Sequence, residues 1–464
     1  MLAAIVIVGS ALLVWNLAGR KPRNVFVILI DTLRQDALGC YGNPGRTTPA
    51  IDGIAADGVR FDRTISTSGW TLPAVASLLT GTWPRIHGGM GKNTALTVIR
   101  DEVPTAAEIL KQAGYTTLAF ANAAFVSPML HLDRGFDLFD HRYAYNWDIR
   151  RADETVDTAL KALAEHRNES NFVLIHIFDP HLDYDPPAEY ATRHTRGRAD
   201  PPLPLDLDTC LALRTNDGRD PPLPQDIDYI RGAYLGEVEF VDAQVGRFVD
   251  NLKAMNLYDQ ATLIITADHG EEFWDHGGFE HGHTLYDELV HVPLIVKLPA
   301  KITPARRVVP SLVSIIDIMP TVFDLLDVEP PPTFIGESLL PAVMGKDTKD
   351  RRCFSESILY GGEKFAWYSG RYKYIHTLIP SPENRDSGSA AVGSPTAELY
   401  DWQDDPRERN NLIEAHPEIA ARMREELRVF SNELTQQTRG MSSPRVADMS
   451  PQHIQSLRSL GYIR

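Results

Sequence analysis

Asn24-Val25-Phe26-Val27-Ile28-Leu29-Ile30-Asp31 is the stretch that decides the fold. An apolar, largely β-branched run without alternation suits a strand covered on both faces, the habit of central parallel strands. This run stops at a carboxylate. Phe172-Val173-Leu174-Ile175-His176-Ile177 and Thr262-Leu263-Ile264-Ile265-Thr266 repeat the pattern, and each meets Asp or His at or near its end. Helical patterns lie between such runs, at Thr105 to Ala113 closed by Gly114, at Arg151 to Glu165 and at Glu237 to Leu252. The alternation predicts an α/β fold with a doubly wound, mostly parallel sheet. Ligands bind such sheets at the carboxyl ends of the strands, so the acidic strand ends mark the expected site.

The 464 residues suffice for one large domain and an appendage. Lys and Arg number 46 against 62 Asp and Glu, for a formal net charge of −16, which leaves no basic footprint for nucleic acid. Cys40, Cys210 and Cys353 are far apart and lack ligand spacing, so neither a disulfide framework nor a thiolate metal site is expected. Residues 1–19 are nearly free of polar side chains and carry no charge until Arg20, Lys21 and Arg23. A spanning helix needs about 20 apolar residues, and no clear small-x-small cleavage site precedes Asn24, so an uncleaved membrane anchor is favoured over a signal peptide. The expected division is that anchor, a catalytic domain over 24–345 and a small α+β C-terminal subdomain over 350–464. A Pro-rich surface insertion is expected over about 196–228, where Asp200-Pro201-Pro202-Leu203-Pro204 nearly recurs as Asp220-Pro221-Pro222-Leu223-Pro224. A Ser/Gly/Pro-rich break falls at Pro380 to Pro395. In the subdomain, strands are expected at Gly370 to Ile375 and Glu398 to Asp401, and a helix at His416 to Leu434.

Asp31 at the end of the first run offers oxygen ligands to a hard cation. Asp268-His269-Gly270-Glu271 repeats that placement at another strand end, adding a nitrogen ligand on a turn that Gly270 permits. Thr71 stands in Ser68-Gly69-Trp70-Thr71-Leu72-Pro73-Ala74-Val75-Ala76-Ser77-Leu78-Leu79-Thr80-Gly81, where Pro73 suits the first turn of a helix. A hydroxyl there faces the anion-binding end of that helix.

These residues, in this order, resemble the sulfatase-like branch of the alkaline phosphatase superfamily. Thr80-Gly81 with Pro84 and His87-Gly88, Asp179-Pro180-His181, Val292-Pro293-Leu294-Ile295 and Leu460-Gly461-Tyr462 extend the resemblance over about Asn24 to Arg464. It implies one divalent metal ion, with Ca, Mg, Mn and Zn not distinguished, held by Asp31, Asp268, His269 and the nucleophile Thr71. It also implies an anionic ester substrate and an extracytoplasmic site, although basic residues that follow the apolar segment would by themselves hold the body in the cytoplasm. His181 is expected to meet the ester or its leaving group. His283, or else His281, falls close to where sulfatases place a lysine, with His283 slightly preferred. His276 and Glu272, on the loop between, are further residues able to approach the metal.

The departures from the sulfatase pattern concern the reaction. Thr71 replaces the cysteine that sulfatases oxidise to their nucleophile, and Val75 replaces the arginine of that motif. Asn122 and Ala124 stand where sulfatases carry Lys and His, which leaves Asn122 as the substrate-binding candidate there. Cleavage of a phosphoester, phosphodiester or phosphonate ester through Thr71 is therefore expected, with transfer to an acceptor alcohol as a variant. Sulfatase action without the modified cysteine, and a degenerate binding protein, are the alternatives. A second metal would need His at i+4 from Asp179, and Asp183 stands there instead.

Overall fold

The computed structural model describes residues 23–464 except 93–94, 143–149, 199–208, 211, 214–221, 379–396, 460–461 and 463–464. The apolar segment 1–19 and the break at Pro380 to Pro395 lie outside the described residues. Among the described residues, no helix is long and apolar enough to cross a membrane.

The strands in chain order are β1 (Val25–Ile30), β2 (Val59–Ile65), β3 (Thr116–Ala121), β4 (Leu138–His141) and β5 (Asn171–Ile177). They continue with β6 (Thr262–Ala267), β7 (Glu272–Phe273), β8 (Phe279–Glu280), β9 (His291–Lys297) and β10 (Val308–Ser314). The main sheet has the order β10-β2-β9-β6-β1-β5-β3-β4, and β9 runs against its neighbours β2 and β6. Every residue of β1, β5 and β6 is buried, as non-alternating apolar runs require. β1 lies between β5 and β6, with Ile30 opposite both Ile177 and Ala267, so three strand ends stand side by side.

Two groups of helices cover the sheet. Ala152–Glu165 packs against the long Pro224–Ala254 helix, whose Phe248 meets Phe26 of β1 edge-on at 5.6 Å. Thr71–Thr80 packs with Ala106–Gln112 and Ile318–Leu326. Thr105 and Glu108 close a reciprocal capping box at the start of Ala106–Gln112. The long helix corrects the expected insertion. It begins at Pro224, inside the 196–228 segment and well before Glu237, because proline is tolerated in a first turn, where the missing N–H would have no partner.

Farther along, β11 (Cys353–Ser355), β12 (Lys364–Ser369), β13 (Tyr372–Thr377) and β14 (Ala397–Asp401) form an antiparallel sheet in that order. The amphipathic Pro417–Gln437 helix lies on it through Phe430, which meets Trp367 at 4.8 Å and Phe354 at 5.2 Å. Phe430 also reaches Trp83 at 5.8 Å, tying this sheet to the main body.

Candidate active site

The site begins where β1 ends. Asp31 N–H donates to Ile177 carbonyl oxygen at 2.9 Å, carrying the β1–β5 ladder one residue further and holding the Asp31 carboxylate inside the protein at 0 % exposure. Asp268 follows β6 directly and is equally buried. Its Oδ1 accepts from His269 N–H at 2.9 Å, whereas its Oδ2 and both oxygens of Asp31 have no hydrogen-bond partner. Burial first, then the charges of Asp268 and Glu271, push the Asp31 carboxyl well above the usual range, and burial also raises Asp268. Carboxylates left in this state require a cation to be ionised at neutral pH.

His269 completes the turn. Its Nδ1 donates to Gly270 carbonyl oxygen at 2.8 Å, which leaves the Nε2 lone pair facing inward. That Nε2 lies 3.5 Å from Asp31 Oδ1, 3.5 Å from Asp268 Oδ2 and 3.3 Å from Thr71 Oγ1. Gly270 is needed for close approach: a Cβ there would fall 2.0 Å from the Glu288 carbonyl oxygen. Thr71 is the first residue of its helix and 1 % exposed. Trp70 before it is anchored by Nε1 donating to Ser357 carbonyl oxygen at 2.5 Å.

His176 was not singled out as a site residue in the sequence. It is 0 % exposed, neither ring nitrogen has a hydrogen-bond partner, and Nε2 lies 3.5 Å from Asp31 Oδ2. Burial, and then the neighbouring imidazoles His181, His269 and His141, lower it to about 3, so the ring is neutral and able to ligate. Asp31, His176 and Asp268 bring one ligand atom each within 4.8 Å of one another. The signal was present: His176 is the one ionisable residue within β1, β5 and β6, and it pairs with Leu29, on the same face as Asp31. The orphaned oxygens and inward imidazole nitrogens fit a divalent ion, with Thr71 beside it.

The remaining candidates separate. His181 and His281 come together, with ring centroids 4.9 Å apart, and His281 lies 4.5 Å from His269. Glu271 Oε1 holds His281 Nδ1 at 2.9 Å, and Tyr184 hydroxyl braces the other oxygen of Glu271 at 2.9 Å. His283, the preferred member of the pair, instead bonds Glu272 Oε2 at 2.8 Å. Burial opposes protonation of His283, but Glu272 outweighs it and raises the imidazole above its ordinary value. The correction follows from local geometry: Gly282 at φ +81° turns the chain between them, and His281 is the ring that meets His181 and His269. His276 is also diverted, bonding Glu288 at 2.6 Å and Glu408 carbonyl oxygen at 3.0 Å while stacking on Tyr286.

Asn122 is a second correction. Its amide nitrogen donates to Thr155 Oγ1 at 2.7 Å and His176 carbonyl oxygen at 3.2 Å, and its oxygen accepts from Arg150 Nε at 2.5 Å. With donors and acceptor so engaged, the side chain braces β3 against β5 instead of offering a donor to substrate. Arg150 and Arg34 are likewise committed, Arg150 to Asn122 and Asp140, Arg34 to Asp36 and Asp275.

In sequence the chain is 25 % identical over 442 residues to an uncharacterised sulfatase, YidJ, of Escherichia coli strain K12, covering 85 % of this chain and 84 % of that one. It is 25 % identical over 433 residues to a Δ4,5-hexuronate-2-O-sulfatase of Bacteroides thetaiotaomicron, covering 85 % of each. In structure it superposes on the phosphonate monoester hydrolase of Agrobacterium radiobacter with a TM-score of 0.70 at 21 % identity, over 89 % of this chain and 96 % of that one. The fold is thus that of the sulfatases and alkaline phosphatases, and such relatives are ester hydrolases. The sulfatase family model matches residues 23–328, well over half of the chain, and the protein belongs to the sulfatase family.

Proposed function

We propose that this sulfatase-like ester hydrolase is metal-dependent and cleaves phosphoesters, phosphodiesters or phosphonate esters with Thr71 as covalent nucleophile. The observation that carries this reading is a buried, unmodified hydroxyl at a helix N-terminus, 3.3 Å from His269 Nε2, which in turn lies 3.5 Å from carboxylate oxygens of Asp31 and Asp268 that lack hydrogen-bond partners. Asp31, Asp268, His269 and Thr71 would hold the ion, with His176 as a further nitrogen ligand. Two imidazoles among the donors suit Zn or Mn better than Ca, which prefers oxygen. When bound, a dication supplies acidity to a coordinated hydroxyl and neutralises charge on the reacting ester.

The chain's own groups do the rest. Thr71 and Leu72 open the first helical turn, where backbone N–H groups have no intrahelical partner and are available to an anion. Pro73 after them stiffens that turn. Thr71 Oγ1 attacks, and the His181–His281 pair, whose His281 meets His269, would assist the leaving group. With Val75 in place of arginine and Arg34 and Arg150 engaged elsewhere, a singly charged ester fits better than a dianion. The phosphonate monoester hydrolase among the fold neighbours carries phosphorus chemistry on this scaffold. Family membership supports the second reading, hydrolysis of a sulfate ester without a modified cysteine.

The test is a panel of 4-nitrophenyl phosphate, bis-4-nitrophenyl phosphate, 4-nitrophenyl phenylphosphonate and 4-nitrophenyl sulfate, each with Zn, Mn, Mg and Ca. The expected result is greatest turnover on the diester or phosphonate with Zn or Mn, lost in Thr71→Ala. Preference for the sulfate would favour the second reading, and turnover undiminished in Thr71→Ala would remove Thr71 as nucleophile.

A further inference from the structure

His181 is not positioned to serve a leaving group by itself. Its Nδ1 bonds Leu182 carbonyl oxygen at 2.9 Å, and its Nε2 bonds Tyr462 hydroxyl at 2.5 Å. One ring face stacks on Phe178, with centroids 4.4 Å apart, and His281 meets the ring edge-on. Both nitrogens are therefore engaged, and the group that lies beyond Nε2 is a phenol.

Tyr462 is held there by a built environment. It follows the Pro451–Ser459 helix, its N–H donates to Leu457 carbonyl oxygen at 2.9 Å, and the residue is 5 % exposed. Its ring packs on Phe125 at 4.5 Å, and Phe125 meets Trp70 edge-on at 5.3 Å. Trp70 is the residue before Thr71, so one aromatic stack joins the nucleophile's turn to the phenol.

We propose that Tyr462 is a catalytic residue that relays a proton between His181 and the oxygen of the departing alcohol, an inference that rests on the Thr71 reading. Thr71 Oγ1 attacks as the alkoxide, its proton having passed to solvent on activation, and leaves again as the alkoxide in the second half. As it bonds to phosphorus, the bond from phosphorus to the bridging oxygen breaks and its electron pair stays on that oxygen. Tyr462 Oη gives its proton to that oxygen and receives the Nε2 proton of the His181 imidazolium. The products are a neutral alcohol, an intact phenol and a neutral imidazole whose Nδ1 proton remains on the Leu182 carbonyl. In the second half the chain runs in reverse, and a water in the alcohol's place loses its proton through Tyr462 to His181.

The relay matters most when the departing oxygen is basic, because a good leaving group departs without a proton. The experiment measures kcat/KM of the wild type and Tyr462→Phe on methyl, phenyl and 4-nitrophenyl esters of whichever phosphorus acid the panel selects. Removing the hydroxyl should lower turnover of the methyl ester by about a hundredfold, in line with the usual contribution of a positioned acid, and of the 4-nitrophenyl ester far less. The ratio between substrates within one variant is independent of how much of it is folded. An equal loss across the series, or none, would make Tyr462 a packing residue and overturn the relay while leaving Thr71 in place. Failure of the wild type to turn over any 4-nitrophenyl ester would overturn the functional reading and the relay together.

Discussion

Lys373 and Asp31 are both buried at 0 % exposure, and their surroundings are opposite in kind. Lys373, on β13, lies 2.9 Å from Asp287 and 2.8 Å from Glu408, and Asp287 in turn meets Arg63 at 2.8 Å. Two cations and two carboxylates meet there, and although burial still pushes Glu408 up to about 8 against the pull of Lys373, each carboxylate has a cation in contact. Burial opposes ionisation of Asp287, but Lys373 and then Arg63 overcome it and hold the carboxyl well below the usual range. At the end of β1 the same burial acts on Asp31 and Asp268 with no Lys or Arg paired to them among the described residues, and both carboxyls are displaced upward. The first cluster is complete as folded and joins the antiparallel sheet to the loop that follows His283. The second is complete only with a cation supplied from outside, and that difference marks it as the functional one.

The largest effect is expected from breaking the complete cluster. Lys373→Met leaves Asp287 and Glu408 buried with only Arg63 opposing them, and loss of one partner in a buried ion pair costs about 3–5 kcal/mol. Urea unfolding should report that loss in the absence of any metal. The sign with pH also follows: Asp287 is depressed in the fold, so its contribution is present above the ordinary carboxylate pKa and fades as pH falls below it. A variant of unchanged stability would mean that the four charges do not act as a set.

A smaller and opposite effect is expected at the incomplete cluster. Asp31→Asn removes one of two repelling buried carboxylates, so the metal-free protein should unfold at the same or higher urea concentration than the wild type. Adding Zn or Mn at about 100 times Kd should stabilise the wild type by roughly 2.7 kcal/mol and the variant by much less. Equal metal stabilisation of both proteins would remove Asp31 from the site.

The residues that were legible in the sequence are those whose environment is local. β1, β5 and β6 announced themselves by unbroken apolar runs, and Asp31 and Asp268 by falling directly after two of them. What failed depends on partners distant in the chain. Asn122 follows β3 as a substrate residue would, but Arg150 and Thr155 take its amide. His281 and His283 are two residues apart, and the Gly282 bend together with Glu271 and Glu272 on the facing turn sorts one toward the site and the other away. His176 read as strand filling because its meaning lies in the alignment of β5 with β1. Tyr462 stood in a phrase that only extended the family resemblance, with nothing in its neighbours to place it against His181.

The account's central claim is that an unmodified Thr71 is the attacking group. It is tested most directly by mixing the metal-loaded enzyme with the best ester of the panel, quenching in acid within the first turnover and analysing the peptide that carries residue 71 by mass. The account predicts the substrate's phosphoryl or phosphonyl group on Thr71, absent when Thr71→Ala is treated in the same way. An unmodified Thr71 peptide at every time point, with turnover persisting in Thr71→Ala, would show that water attacks directly and would contradict it.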